Sequence, residues 1–95
     1  MREIKLVELR EDCGGCPTSY SGKTESGQYF ETRLRWGIMT IKIDNYYIVN
    51  EDVSDEFDGI CTFMDFQRHA KYKGYLINKN EAKYSSFLDD IPDIR

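Results

Sequence analysis

The run Tyr29-Phe30-Glu31-Thr32-Arg33-Leu34-Arg35-Trp36, closed by Gly37, decides how this chain folds. Phe30, Thr32, Leu34 and Trp36 alternate with Tyr29, Glu31, Arg33 and Arg35. That period of two belongs to a strand with one buried face and one wet face. Phe30, Leu34 and Trp36 are accordingly expected in the core, and Tyr29, Arg33 and Arg35 on the wet side. Gly37 breaks the run. Ile38-Met39-Thr40-Ile41-Lys42-Ile43 follows as a second strand, with Met39, Ile41 and Ile43 on one face. Asp44-Asn45 reads as a two-residue hairpin loop, because both residue types tolerate the left-handed region. Tyr46-Tyr47-Ile48-Val49 is the returning strand.

Towards the N-terminus, residues 18–24 read as another strand, joined to the first run by the short loop Glu25-Ser26-Gly27. Residues 2–9 read as the opening strand, with Ile4, Leu6 and Glu8 facing one way and Lys5 and Val7 the other. Between these two lies Glu11-Asp12-Cys13-Gly14-Gly15-Cys16-Pro17, which reads as a break: two glycines permit positive φ, and Pro17 cannot donate to a ladder. Towards the C-terminus, residues 50–58 form an acidic loop closed by Gly59. A helix is expected over residues 62–73. Thr62 caps it, Asp65 sits at the third position, and Phe63, Phe66 and Ala70 share a face. Arg68, Lys71 and Lys73 favour its C-terminal end and Gly74 ends it. Tyr75-Leu76-Ile77 is one more short strand. From Asn78 the chain reads as a polar tail, docked with a helical turn near 80–88 or frayed. The expected fold is α+β: one domain over residues 1–95, an antiparallel meander of four to five strands with one helix packed on a face.

Composition agrees. The chain has 95 residues, 40% hydrophobic and 32% charged, enough for one core. Seven Tyr and five Phe favour half-buried pleated surfaces. The net charge of -4 resides in the second half: residues 1–50 carry seven basic and seven acidic side chains, residues 51–95 six and ten. An acidic chain is poorly attracted to phosphate backbones, which argues against nucleic-acid coating but leaves room for a small anionic ligand at a local basic patch. The first residues lack the apolar stretch of a secretory signal, and no run reaches membrane-spanning length, so the cytoplasm is the expected location.

Three groups of residues carry candidate chemistry. Cys13 and Cys16 have the spacing of a zinc knuckle, for which Cys61 and His69 are the remaining soft ligands. An odd number of Cys fits poorly with a fully paired disulfide framework, and the competing reading is small free thiols packed at a tight corner. Asp52, Asp55, Glu56 and Asp58 do not have EF-hand spacing; they offer a negative surface to a basic protein partner, or merely a solvated loop. Arg33 and Arg35 beside Tyr29 could grip a phosphate or carboxylate, or simply pair across strands with acids such as Glu31. One His, no phosphate loop and no HExxH argue against an enzyme.

The segments Cys13-Gly14-Gly15-Cys16-Pro17-Thr18, Gly22-Lys23-Thr24-Glu25-Ser26-Gly27, Tyr29-Phe30, Arg33-Leu34-Arg35-Trp36-Gly37 and Phe57-Asp58-Gly59 together resemble a group of small bacterial and phage-encoded proteins with no settled activity. The resemblance covers about residues 10–70 and brings no catalytic residues. It implies a bacterial or phage source. At the level of class it implies a non-enzymatic domain that binds and blocks host machinery, such as a defence system. The alternative is a small-ligand or zinc-binding domain.

Overall fold

Phe30, Thr32 and Leu34 are fully buried while Tyr29, Arg33 and Arg35 are exposed, so the alternation holds through Arg35. The computed structural model describes residues 1–14 and 18–86. Among these the elements are β1 (Arg2–Gly14), β2 (Thr18–Thr24), β3 (Tyr29–Arg35), β4 (Ile38–Ile43), β5 (Tyr46–Asp52), α1 (Phe63–Tyr72), β6 (Tyr75–Asn78) and β7 (Lys83–Ser86). The first five strands form an antiparallel meander, as short links between alternating runs require. Sheet order is β5-β4-β3-β2-β1-β6, and β7 also pairs with β1. Both late strands run parallel to β1, β6 along Arg2 to Lys5 and β7 along Glu8 to Glu11. A parallel neighbour requires a crossover, and α1 supplies it, carrying the chain from β5 at one edge to β6 at the other.

The helix starts where its cap chemistry dictates. Thr62 Oγ1 accepts from the Asp65 N–H at 3.3 Å, and Asp65 Oδ2 accepts from the Thr62 N–H at 2.8 Å, a reciprocal capping box. It ends at Lys73 and Gly74, whose N–H groups reach Ala70 and Lys71 carbonyls, with Gly74 at φ 91°. Phe63, Phe66 and Ala70 face the sheet, and His69 is buried with them. The Phe63 ring lies 5.1 Å from that of Tyr20 and 6.2 Å from that of Phe30. Leu6, Leu34, Met39 and Ile41, fully buried, complete the centre of the core, and Ile43 is half-buried at its margin. Each large side chain so buried contributes about 2 kcal/mol.

Four expectations need correction. The sheet has seven strands rather than four to five, because β6 and, from the polar tail, β7 both join β1; β1 itself runs through Cys13 and Gly14 instead of breaking at residue 11. The turn at residues 79–82 is held by the Ala82 N–H on the Lys79 carbonyl, after which Lys83 extends along β1 rather than entering a helix. Residues 15–17 and 87–95 lie outside the described residues. In β1 the inward series is Ile4, Leu6, Leu9, not Ile4, Leu6, Glu8: a register irregularity between Leu6 and Glu8 shifts the parity, exposing Glu8 and burying Leu9. Trp36 is outside the core altogether.

Candidate binding site

Trp36 is 80% exposed because it is not the last residue of β3 but the first residue of a turn. Arg35 pairs with Ile38, leaving Trp36 and Gly37 as a two-residue loop. Both have positive φ, 56° and 76°, the condition for the primed turn that matches strand twist. Gly suits the second position; a bulky aromatic at the first sits in a region that costs an ordinary residue about 1–2 kcal/mol. The turn is also clamped. The Val53 N–H donates to the Gly37 carbonyl at 2.7 Å, and a Cβ on Gly37 would stand 2.7 Å from Ser54 Cβ. The turn that carries the indole is thereby tied to the start of the acidic loop, with the Arg35 guanidinium 5.4 Å from the ring.

The loop itself is built on two apolar anchors, buried Val53 and half-buried Phe57, joined by the Phe57 N–H on the Val53 carbonyl at 3.1 Å. Its four acids have different fates. Asp52 accepts from the Ser54 N–H at 2.8 Å and hydroxyl at 2.6 Å, bonds that hold its carboxyl below the usual range. Glu56 turns inward to Arg68 and to His69 Nε2 at 3.0 Å. Asp55 and Asp58 remain exposed and, among the described residues, without a hydrogen-bond or ion-pair partner. Of the four acids, then, Asp55 and Asp58 are free to meet a partner, Asp52 shapes the loop, and Glu56 anchors it.

That anchor was not visible in sequence. His69, 6% exposed, lies between two carboxylates, with Nδ1 2.9 Å from Glu51 and Nε2 3.0 Å from Glu56. Tyr72 and Phe57 flank it with ring centroids at 5.5 and 6.0 Å, and Lys73 lies 3.3 Å from the second oxygen of Glu51. The helix thus grips the end of β5 and the acidic loop together. The hydrogen bond from His69 lowers the Glu51 carboxyl, and that from Arg68, ahead of His69, lowers Glu56. A carboxylate depressed on folding adds stability above its unfolded value and loses it as pH falls through the folded one. The urea midpoint of the native chain is therefore expected to drop as pH falls below the ordinary carboxylate value of 4.5. Glu51→Gln should show a shallower fall over the same range; equal slopes would remove this cluster from acid stability.

The other candidate groups are placed as follows. Tyr29, Arg33 and Arg35 share the outer face of β3. Arg33 stands opposite Ser19 on β2 and Thr40 on β4, and Thr40 opposite Asn50 on β5. Arg33 has no hydrogen-bond or ion-pair partner among the described residues, whereas Glu31 is taken by Lys42 at 3.3 Å. This row of guanidinium, hydroxyls and amide can accept an oxyanion. Tyr29 sits four residues away along the strand, beyond about 13 Å, too far to join a single small ligand with Arg33. Cys13 is half-buried in β1 and Cys61 is buried before the helix, its thiol pushed up to about 12 by burial; both are free. Cys16 lies outside the described residues. Both nitrogens of His69 face carboxylates, and among the described residues no three His, Cys, Asp or Glu side chains converge as a metal site. No helix among them is long and apolar enough to cross a membrane.

Trp36 had a signal in the sequence that the alternation concealed: an X-Gly pair between two alternating runs marks a two-residue turn. Glu51 and Glu56 had none, being thirteen or more positions from His69. Compared with known proteins, the chain matches no family model, no curated sequence and no solved structure.

Proposed function

We propose that this chain is a non-enzymatic protein-binding domain that seats Trp36 in a pocket of a partner and meets a basic rim of that partner with Asp55 and Asp58. The observation that carries this reading is the exposed indole itself, on a left-handed turn whose Gly37 is tied to Val53 and packed against Ser54 at the start of the acidic loop. Tryptophan is the residue type most enriched among interface hot spots, and its rigid ring loses little entropy on docking. Trp36 is held in water at an unfavourable φ, its one ring contact among the described residues is the exposed Arg35, and strain of this kind points to a use outside the chain. Neighbouring acids supply steering rather than bulk affinity. The resemblance to phage-encoded domains extends the reading to a blocker of a host protein.

The test uses a substitution that improves the turn while removing the ring. Asn-Gly is the favoured pair for this loop, so Trp36→Asn should keep or raise the thermal midpoint. In pull-downs from bacterial lysate, the protein captured by the native chain should be lost with Trp36→Asn and reduced severalfold with Asp55→Lys/Asp58→Lys, more so at low salt. Trp36 is the sole tryptophan, so its emission should shift to the blue when the purified partner is added. Undiminished capture by a folded Trp36→Asn chain would overturn the proposal.

A further inference from the structure

At the end of the sheet opposite Trp36, the inner face continues past the helix and opens as a cleft of about 620 Å³. Its origin is the strand alternation. On β1 the inward residues are Leu6, Ile4 and Arg2, and on β6 Ile77 and Tyr75 stand beside Ile4 and Arg2. Burial fades along these rows, from Leu6 at 0% to Ile4 at 8% and then to exposed Arg2. On the far wall half-buried Ile43 and buried Ile48 lead out to exposed Tyr46. The floor is therefore aliphatic, and the walls end in two tyrosines.

The charged lining is already paired, with one exception. Thr24 Oγ1 accepts from the Gln28 N–H at 3.0 Å and lies 3.0 Å from Ser26 Oγ. Glu3 takes the Asn78 amide at 3.0 Å, and Lys5 stands 3.2 Å from Glu81 and 3.8 Å from Glu25. Among the described residues, the Arg2 guanidinium alone of the charged lining has no hydrogen-bond or ion-pair partner. Its backbone is held in the sheet: the N–H donates to the Gly74 carbonyl at 2.9 Å, and the residue is paired in register with Tyr75.

From this we infer that the cleft is a site for a small amphipathic carboxylate, its apolar body on Ile4, Ile43 and Ile48 and its carboxylate on Arg2. The volume lies within the range of ligand pockets, about 300–1,000 Å³. A guanidinium presents two parallel donors that match a carboxylate, so the pairing fixes orientation as well as charge. An aliphatic cation of the same size would set its charge against Arg2. This site is separate from the Trp36 turn, so either can stand without the other.

The experiment is a titration of isotope-labelled chain with sodium octanoate, with 1-octanol and octylammonium chloride at matched concentrations, followed by backbone amide shifts. Octanoate should move the amides of Ile4, Ile43, Ile48 and Tyr75, and bind roughly tenfold more tightly than octanol. Arg2→Gln should bring octanoate down to the level of octanol and leave octanol unchanged. Tyr46→Ala, a change at an exposed wall, should weaken both. Equal affinity for octanoate and octanol, octanoate binding unaffected by Arg2→Gln, or shifts confined to other surfaces would each overturn the inference.

Discussion

Phe66→Ala should destabilise the chain by about 4 kcal/mol, a large share of the roughly 5–14 kcal/mol that holds a domain of this size together. Phe66 is fully buried at the middle of α1, with its ring 6.0 Å from that of Tyr20. Its removal leaves a cavity between the only helix of the described chain and the sheet it spans, bounded by a regular β-framework that cannot readily collapse. The effect should spread, because α1 is also the crossover that delivers β6 and β7 to the edge of β1. Urea denaturation measures it. Met64, two residues earlier and 71% exposed, is the control: Met64→Ala should change stability by less than about 0.5 kcal/mol. Similar midpoints for the two variants would mean that the helix does not use the face assigned to it.

Gly22→Ala should cost about 3 kcal/mol for a different reason. The cause is not backbone conformation, since Gly22 is not in the left-handed region. A Cβ there would stand 2.1 Å from the Glu8 carbonyl oxygen and 3.2 Å from Leu9 Cα. Both atoms are backbone, beside the register irregularity that turns Leu9 inward, so relief requires β1 to move off β2. Hydrogen exchange should then show protection lost first in the amides of Leu9 to Glu11 and Tyr20 to Gly22. Gly27 gives the comparison. It has positive φ, 87°, but open space around it, so Gly27→Ala should cost only the conformational penalty of about 1 kcal/mol. If the two glycines respond alike, the close approach of β1 and β2 is not what Gly22 provides.

Trp36→Asn is expected to leave stability unchanged or raise it, and the contrast separates the core from the surface in this small chain. Phe30, Leu34, Phe63 and Phe66 are aromatic and aliphatic groups that the fold needs. Trp36 is one the fold carries at a cost.

Residues 29–35 and 62–74 state their structure in their own letters. Alternation every second residue leaves one arrangement that buries Phe30 and Leu34, and a Thr62/Asp65 box with apolar positions at three and four leaves one helix. Local rules of this kind operate over a few residues, so they are readable without neighbours. They fail where a neighbour decides. Pattern alone places Trp36 with Leu34 on the core side, yet the pairing of Arg35 with Ile38 makes it a turn residue and sends the ring into water. Glu8 and Leu9 exchange faces because the pairing of β1 with β2 slips by one residue between Leu6 and Glu8. Lys83 to Ser86 are polar enough for a tail and become a strand because the outer edge of β1 offers unpaired backbone groups.

The candidate sites divide along the same line. The acids of residues 52–58 and the arginines of β3 were legible as charged groups on wet surfaces, since solubility alone demands their exposure. Which of them remain available was not. Glu56 is withdrawn by Arg68 and His69, Glu51 by His69 and Lys73, and Arg33 is left open among hydroxyls, because strand register and the docking angle of one helix set those distances. Ion pairing and cavity shape depend on atoms brought together across tens of residues, and only the closed chain brings them there.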